Sequence, residues 1–343
     1  MRSLLRIGLV ACVLVSSAFA GEKGESNQRY IVLATGRTKT IKQELADAAT
    51  KGYHIVAGDA ANNILLLEKG PDSTRGDYVY LDNLFRGMKE AAAQGYRVLP
   101  KTLGTSEYSI GAVMEKVAGN EACEYKILDT VRTSSFQKDL SQASSEGWKL
   151  VGLQAEDRYF GVMERPAAGA PASSLRAERY LLLATKRPST MQKELDDAAG
   201  KGYRVTAATA AEEMIIVLEK PGDSPAQTAV QHEYQVLSVA RSGTLEKEIN
   251  DAAARGFHVL PNTMSLFKKK SPFSFPSSNE LAVIVEKDAG DDKRYEYKLL
   301  GTRKVATSEK EMQEDVQQGF TVEGMLLSYQ EQLVLLVRPA LKP

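Results

Sequence analysis

The side chains that most often carry chemistry are few and scattered in this chain. It has three histidines, His54, His232 and His258, and two cysteines, Cys12 and Cys123. No histidine stands at helical or hairpin spacing from another or from Cys123. Zinc centres need clustered His or Cys ligands, so the sequence supplies no metal site and implies no cofactor. The pairs Asp196-Asp197 and Asp291-Asp292 lack the alternating oxygen ligands and glycine of a calcium loop. Nucleophilic catalysis needs a serine or cysteine beside a base and an orienting acid. No Gly-x-Ser-x-Gly elbow and no glycine-rich phosphate loop is present. Distant residues can still converge, but no catalytic residue is assigned.

Two other constellations stand out. The first is a column of basic residues, His54, Arg97, Lys149, Arg204 and His258, each preceded by a Gly-aromatic pair. Downstream of each lies an apolar run ending in a glutamate: Glu68, Glu115, Glu164, Glu219 and Glu286. The start and end of a hairpin lie side by side, so the economical reading is a cross-strand basic-Glu pair in each hairpin. The second is a long hairpin tip carrying Phe267, Lys268, Lys269, Lys270, Phe273 and Phe275 among serines and prolines. Three lysines beside three phenylalanines suit an anionic partner or a headgroup layer. The plainer reading is a mobile loop with incidental charge.

These residues belong to a repeat. Tyr30 is followed 22 residues later by Gly52-Tyr53, and the same interval links Tyr125 to Gly147-Trp148, Tyr180 to Gly202-Tyr203, Tyr234 to Gly256-Phe257 and Tyr297 to Gly319-Phe320. From Tyr78 to Gly95-Tyr96 it shortens to 17. The opening Tyr30–Thr35 is β-rich. Thr40-x-x-Gln43 and Ser308-x-x-Glu311 read as capping boxes that open a helix. In the fourth unit Met191, Leu195, Ala198 and Ala199 recur on one helical face. The glycine suits the left-handed stop of that helix, and two strands joined by a hairpin follow. Each unit therefore reads β-α-β-β.

Units one and four match at Arg29-Tyr30 and Arg179-Tyr180, two and five at Val98-Leu99-Pro100 and Val259-Leu260-Pro261, three and six at Glu124-Tyr125-Lys126 and Glu296-Tyr297-Lys298. The expected organisation is two blocks of three units, 28–165 and 179–339, joined by a Pro/Ala/Ser-rich linker at 166–178. About 40 residues are too few for a lone core without disulfides or metal, so units should pack together within each block. The expected fold class is α+β, with antiparallel or mixed sheets and helices on one face.

Residues 1–20 read as a signal peptide. Arg2 and Arg6 precede the apolar run Ile7–Ala20, which ends Ala18-Phe19-Ala20. The run is too short to span a bilayer, and no later segment approaches that length. Leu9-Val10-Ala11-Cys12 has the look of a lipoprotein box, which would tether the protein, but only eleven residues precede Cys12. Removing the signal leaves 42 basic against 44 acidic residues and one cysteine, Cys123. Near neutrality gives no general attraction to nucleic acid, and a lone cysteine forms no internal disulfide. With 43% apolar residues and a mean hydropathy of −0.29 the chain is ordinarily globular.

Glu124-Tyr125-Lys126-Ile127, together with Glu146-Gly147-Trp148-Lys149-Leu150, resembles a family of short bacterial domains of unknown function. These open on Glu-Tyr-Lys and leave their helix on Glu-Gly-Trp-Glu-Leu; Lys149 departs from that pattern. The resemblance implies a bacterial βαββ module and no activity. The expectation is a periplasmic or secreted non-catalytic protein that binds an envelope protein or cell-wall polymer. The alternative is a hydrolase or small-ligand protein with a site between the two blocks.

Overall fold

The computed structural model describes residues 28–70, 76–106, 109–116, 122–169, 179–221, 232–269, 278–290, 293–327 and 331–340. The expected signal segment, Cys12 and most of the expected linker lie outside them. The fold is mixed α+β, and all strand pairings among the described residues are antiparallel.

Six small sheets follow one another along the chain. Unit one contains β1 (Tyr30–Ala34), α1 (Thr38–Thr50), β2 (Tyr53–Asp59) and β3 (Ile64–Lys69). Unit two contains β4 (Asp77–Leu81), α2 (Met88–Ala93), β5 (Tyr96–Val98), β6 (Gly104–Ser106) and β7 (Ser109–Lys116). Unit three contains β8 (Cys123–Thr130), α3 (Thr133–Ser145), β9 (Lys149–Ala155) and β10 (Tyr159–Pro166). Unit four contains β11 (Tyr180–Thr185), α4 (Pro188–Gly200), β12 (Arg204–Ala210) and β13 (Met214–Glu219). Unit five contains β14 (His232–Val239), α5 (Ser242–Ala254), β15 (His258–Val259), β16 (Ser265–Lys269) and β17 (Ser278–Asp288). Unit six contains β18 (Tyr295–Thr302), α6 (Val305–Gln317), β19 (Thr321–Leu327) and β20 (Gln332–Pro339). In each sheet the last strand lies in the middle, between the opening strand and the strand that leaves the helix.

Each helix ends on a glycine with positive φ, for example Gly147 at 82° and Gly256 at 94°. In units three to six the following aromatic then donates its N–H to the carbonyl three residues back from the cap, as Trp148 does to Ala143 at 3.0 Å. The helix starts differ from the expected capping boxes. α1 begins at Thr38 behind Arg37 and α6 at Val305 behind Lys304, neither with a side-chain cap. The chain is instead turned by the hydroxyls of Thr35 and Thr302, which accept from the N–H of Arg37 and Lys304 at 3.4 and 3.2 Å. Thr40 and Ser308 fall inside their helices, where capping has no role.

The packing corrects two expectations. Helices do not cover one face of each sheet, and cores are not confined to blocks. Ile41 and Leu45 of α1 pack with Tyr80 and Val113 of unit two, and Met88 of α2 with Phe160 and Val162 of unit three. Phe136 and Leu140 of α3 pack with Ile215 and Val217 of unit four, across the expected block boundary. α4 packs on unit five, α5 on unit six, and Met312 of α6 on Val32 and Leu66 of unit one. The six units therefore close into a ring. Every sheet is sandwiched between its own helix and the preceding one, which is why its middle strand reads Leu65-Leu66-Leu67 without alternation. At ~1.5–3 kcal/mol per buried aliphatic or aromatic side chain, a unit cut from its neighbours loses a large part of its core.

The recurrent tyrosine locks five of the six steps, the hydroxyl of Tyr78 being the exception. The hydroxyls of Tyr125, Tyr180, Tyr234, Tyr297 and Tyr30 accept from the N–H of Val98, Leu150, Val205, Val259 and Val322 of the preceding unit, at 2.9 to 3.3 Å. Burial pushes the hydroxyls of Tyr30, Tyr180 and Tyr297 up to about 12, so they stay protonated.

Candidate functional site: the axial cavity

The strands that leave the helices line the inside of the ring. In units one, three, four and six this strand carries a β-bulge, as between Ile55 and Ala57. In units two and five Pro100 and Pro261 break it into two pieces, because proline donates no ladder hydrogen bond. Thr102 and Thr263 repair the loss, their hydroxyls accepting from Val113 N–H at 2.8 Å and Ile284 N–H at 2.9 Å.

These strands enclose a cavity of about 840 Å³ to which all six units contribute. Its charged wall residues are Asp59, Glu156, Lys268, Arg303 and Glu331. Asp59 closes the β2–β3 hairpin and accepts from Asn62 N–H at 3.0 Å and Asn62 Nδ2 at 2.8 Å. A side chain at Gly104 would place its Cβ 1.7 Å from Asp59 Oδ1, so glycine there admits the carboxylate. Burial pushes the Asp59 carboxyl up to about 6, opposed by the Asn62 hydrogen bonds and helped by nearby Glu156. Lys268 Nζ stands 3.6 Å from Glu156, joining unit five to unit three across the mouth of unit four. Gln154 Nε2 donates to the Leu103 carbonyl at 2.9 Å. The wall thus mixes both signs of charge with amides and hydroxyls. None of the three histidines lines it.

The expected interaction residues separate. Phe267 is 1% exposed, in the core between α4 and the unit-five sheet, and so leaves no apolar tip at that position. Its side chain fills space because β16 is paired along β17 there rather than looped. Lys268 belongs to the cavity wall, Lys269 to β16, and Lys270, Phe273 and Phe275 lie outside the described residues.

The basic-Glu column has the expected register in all five hairpins: His54, Arg97, Lys149, Arg204 and His258 stand opposite Glu68, Glu115, Glu164, Glu219 and Glu286. His54 comes within 3.6 Å of its expected Glu68, while the closer ion pairs are made with other partners. Glu68 binds Arg29 at 2.7 Å, and Arg97 reaches across to Glu164 of unit three at 2.7 Å. In unit six the charges are exchanged, Arg338 binding Glu296 at 2.6 Å. The sequence reasoning missed the inner-wall residues Asp59, Asn62 and Gln154, whose only signal was a polar break between two apolar runs. It also missed a meeting of His232 with Glu286 and Asp288, the one group of candidate metal ligands among the described residues.

No family model matches the chain, and no match is found among curated proteins or solved structures.

Proposed function

We propose that the chain is six copies of one βαββ module, three kinds each occurring twice in the same order, forming an exported, non-catalytic ring that binds a small polar ligand in its axial cavity. The observation that carries this reading is the cavity itself, about 840 Å³, with contributions from all six units and a wall of mixed charges, amides and hydroxyls. That volume is in the usual range for small-molecule sites. Export rests on the pattern of residues 1–20, and a bacterial origin on the likeness of the third unit to short bacterial domains. Catalysis is the poorer reading because Ser106 and Ser265 of the wall have no histidine beside them there.

Binding an envelope protein or polymer along a sheet edge is less favoured. In four of the six steps the opening strand of a unit is already covered by helix side chains, as where Gln192 bonds both Tyr234 and Val236. The test places a photo-crosslinking residue at Thr105, in the cavity, or at Lys138, on α3, and illuminates the native cells. A small adduct at position 105 alone supports the reading. Protein-sized adducts at 138, or no adduct at 105, overturn it.

A further inference from the structure

Unit five departs from the other five units at two positions, one on each of two paired strands. Two residues before the recurrent tyrosine stands His232, where the other units have Gln28, Gly76, Cys123, Glu178 and Tyr295. Two residues beyond the hairpin glutamate stands Asp288, where units one to four have Gly70, Val117, Pro166 and Pro221. The register sets His232 directly opposite Asp288, and alternation along β17 puts Glu286 on the same face. His258 of β15 is opposite Glu286 from the other side.

His232 Nδ1 lies 2.6 Å from Asp288 Oδ1 and in contact with Glu286 Oε1. The three ligand atoms fall within 4.8 Å of one another. The His232 side chain is 9% exposed and that of Glu286 12%. Yet neither ring nitrogen of His232 nor Asp288 Oδ1 has an aligned hydrogen bond. Buried imidazole nitrogens and carboxylate oxygens are costly to leave without partners. Two carboxylates, the buried one of Glu286 and the partly exposed one of Asp288, converge on this imidazole.

We infer that His232, Glu286 and Asp288 form a binding site for one divalent transition cation of the zinc type, which ties the opening strand of unit five to its middle strand. Imidazole nitrogen and carboxylate oxygen both ligate zinc, and three protein ligands leave a fourth position for water. Ligands ~2.0–2.1 Å from a tetrahedral ion stand ~3.3 Å apart, so the half-exposed Asp288 moves outward slightly on binding. An imidazolium held between the carboxylates without metal is the competing arrangement.

The test is calorimetric titration of Zn²⁺ into the chelator-treated protein at neutral pH. The expected result is one Zn²⁺ per chain, with affinity about 100-fold weaker in His232→Ala, at least about 10-fold weaker in Asp288→Asn and unchanged in His54→Ala. Mg²⁺ should not compete. If the His232 variant fails to fold, the unmodified protein decides: Zn²⁺ must shift the His232 ring resonances and leave those of His54 in place. No saturable binding, full binding by a folded His232→Ala, or unmoved His232 resonances overturns the site.

Discussion

Where α4 meets unit five, Gln192 clasps the opening strand, its amide donating to the Tyr234 carbonyl at 2.9 Å and accepting from Val236 N–H at 2.9 Å. Where α1 meets unit two, Lys42 stands at the same helical position, and no side chain of α1 bonds the backbone of β4 among the described residues. A cleft of about 440 Å³ lined by Lys42, Ala46 and Tyr78 lies there instead. α3 repeats the clasp with Gln137 on Tyr180 and Leu182. α5 and α6 divide it between two residues, Glu246 with Asn250 and Glu309 with Gln313. The step from unit one to unit two is held on its inner side. Tyr80 donates to the Ala60 carbonyl, Ala60 N–H to Thr102 at 3.0 Å and Asn62 Nδ2 to Thr105 at 3.2 Å. One packing scheme is thus secured at the outer edge in four steps and, between units one and two, at the inner rim. Edge strands carry unpaired backbone groups, and the clasp satisfies them without adding a strand.

The strongest way to break a clasped step is to remove its core. Phe136 is fully buried between units three and four, so Phe136→Ala should cost about 3–5 kcal/mol in denaturant unfolding. The clasp itself is weaker. Gln192→Ala leaves a carbonyl and an N–H of β14 without partners and should cost about 1–3 kcal/mol. Lys42→Ala should change stability by less than about 0.5 kcal/mol. Equal effects of the two substitutions would erase the distinction between the steps.

The glycine stops and the hairpin register were legible because each follows from local chain geometry. Ring closure was not, since six tandem modules give the same periodicity whether they form two groups or a circle. One clue was present: Leu65-Leu66-Leu67 does not alternate, and a strand covered on one face only would. The clasp was hidden because its chemistry changes from helix to helix, Gln137 alone on α3 but Glu246 with Asn250 on α5. His232 and Asp288 are far apart in sequence and meet only through the pairing of β14 with β17. The capping boxes misled because a threonine two residues before the cap residue turns the chain just as well.

The inner rim is open to a pH test. Asp59 holds its proton more tightly in the folded chain, with its carboxyl raised from 3.8 to about 6 by burial. Its contribution is therefore most favourable below the unfolded value and is lost as pH rises through about 6. Relative to Asp59→Asn, the unmodified protein should lose about 1–2 kcal/mol between pH 4 and pH 7, the full linkage value being reduced because the carboxylate faces the cavity. A flat difference would remove Asp59 from the account. A gain sharpens the comparison: Lys42→Gln should build the missing clasp on Tyr78 and Tyr80 and add up to about 1 kcal/mol.

Closure of unit six on unit one is tested most directly by crosslinking across it. Gln313 of α6 accepts from Arg29 N–H at 3.3 Å, although the two are 284 residues apart. With Arg29→Cys and Gln313→Cys, a short bis-maleimide should join the two positions within single molecules, read by intact mass and peptide mapping at concentrations too low for dimers. Near-complete intramolecular linkage is the predicted result. Linkage no greater than for the pair Arg29→Cys and Lys138→Cys would contradict the ring.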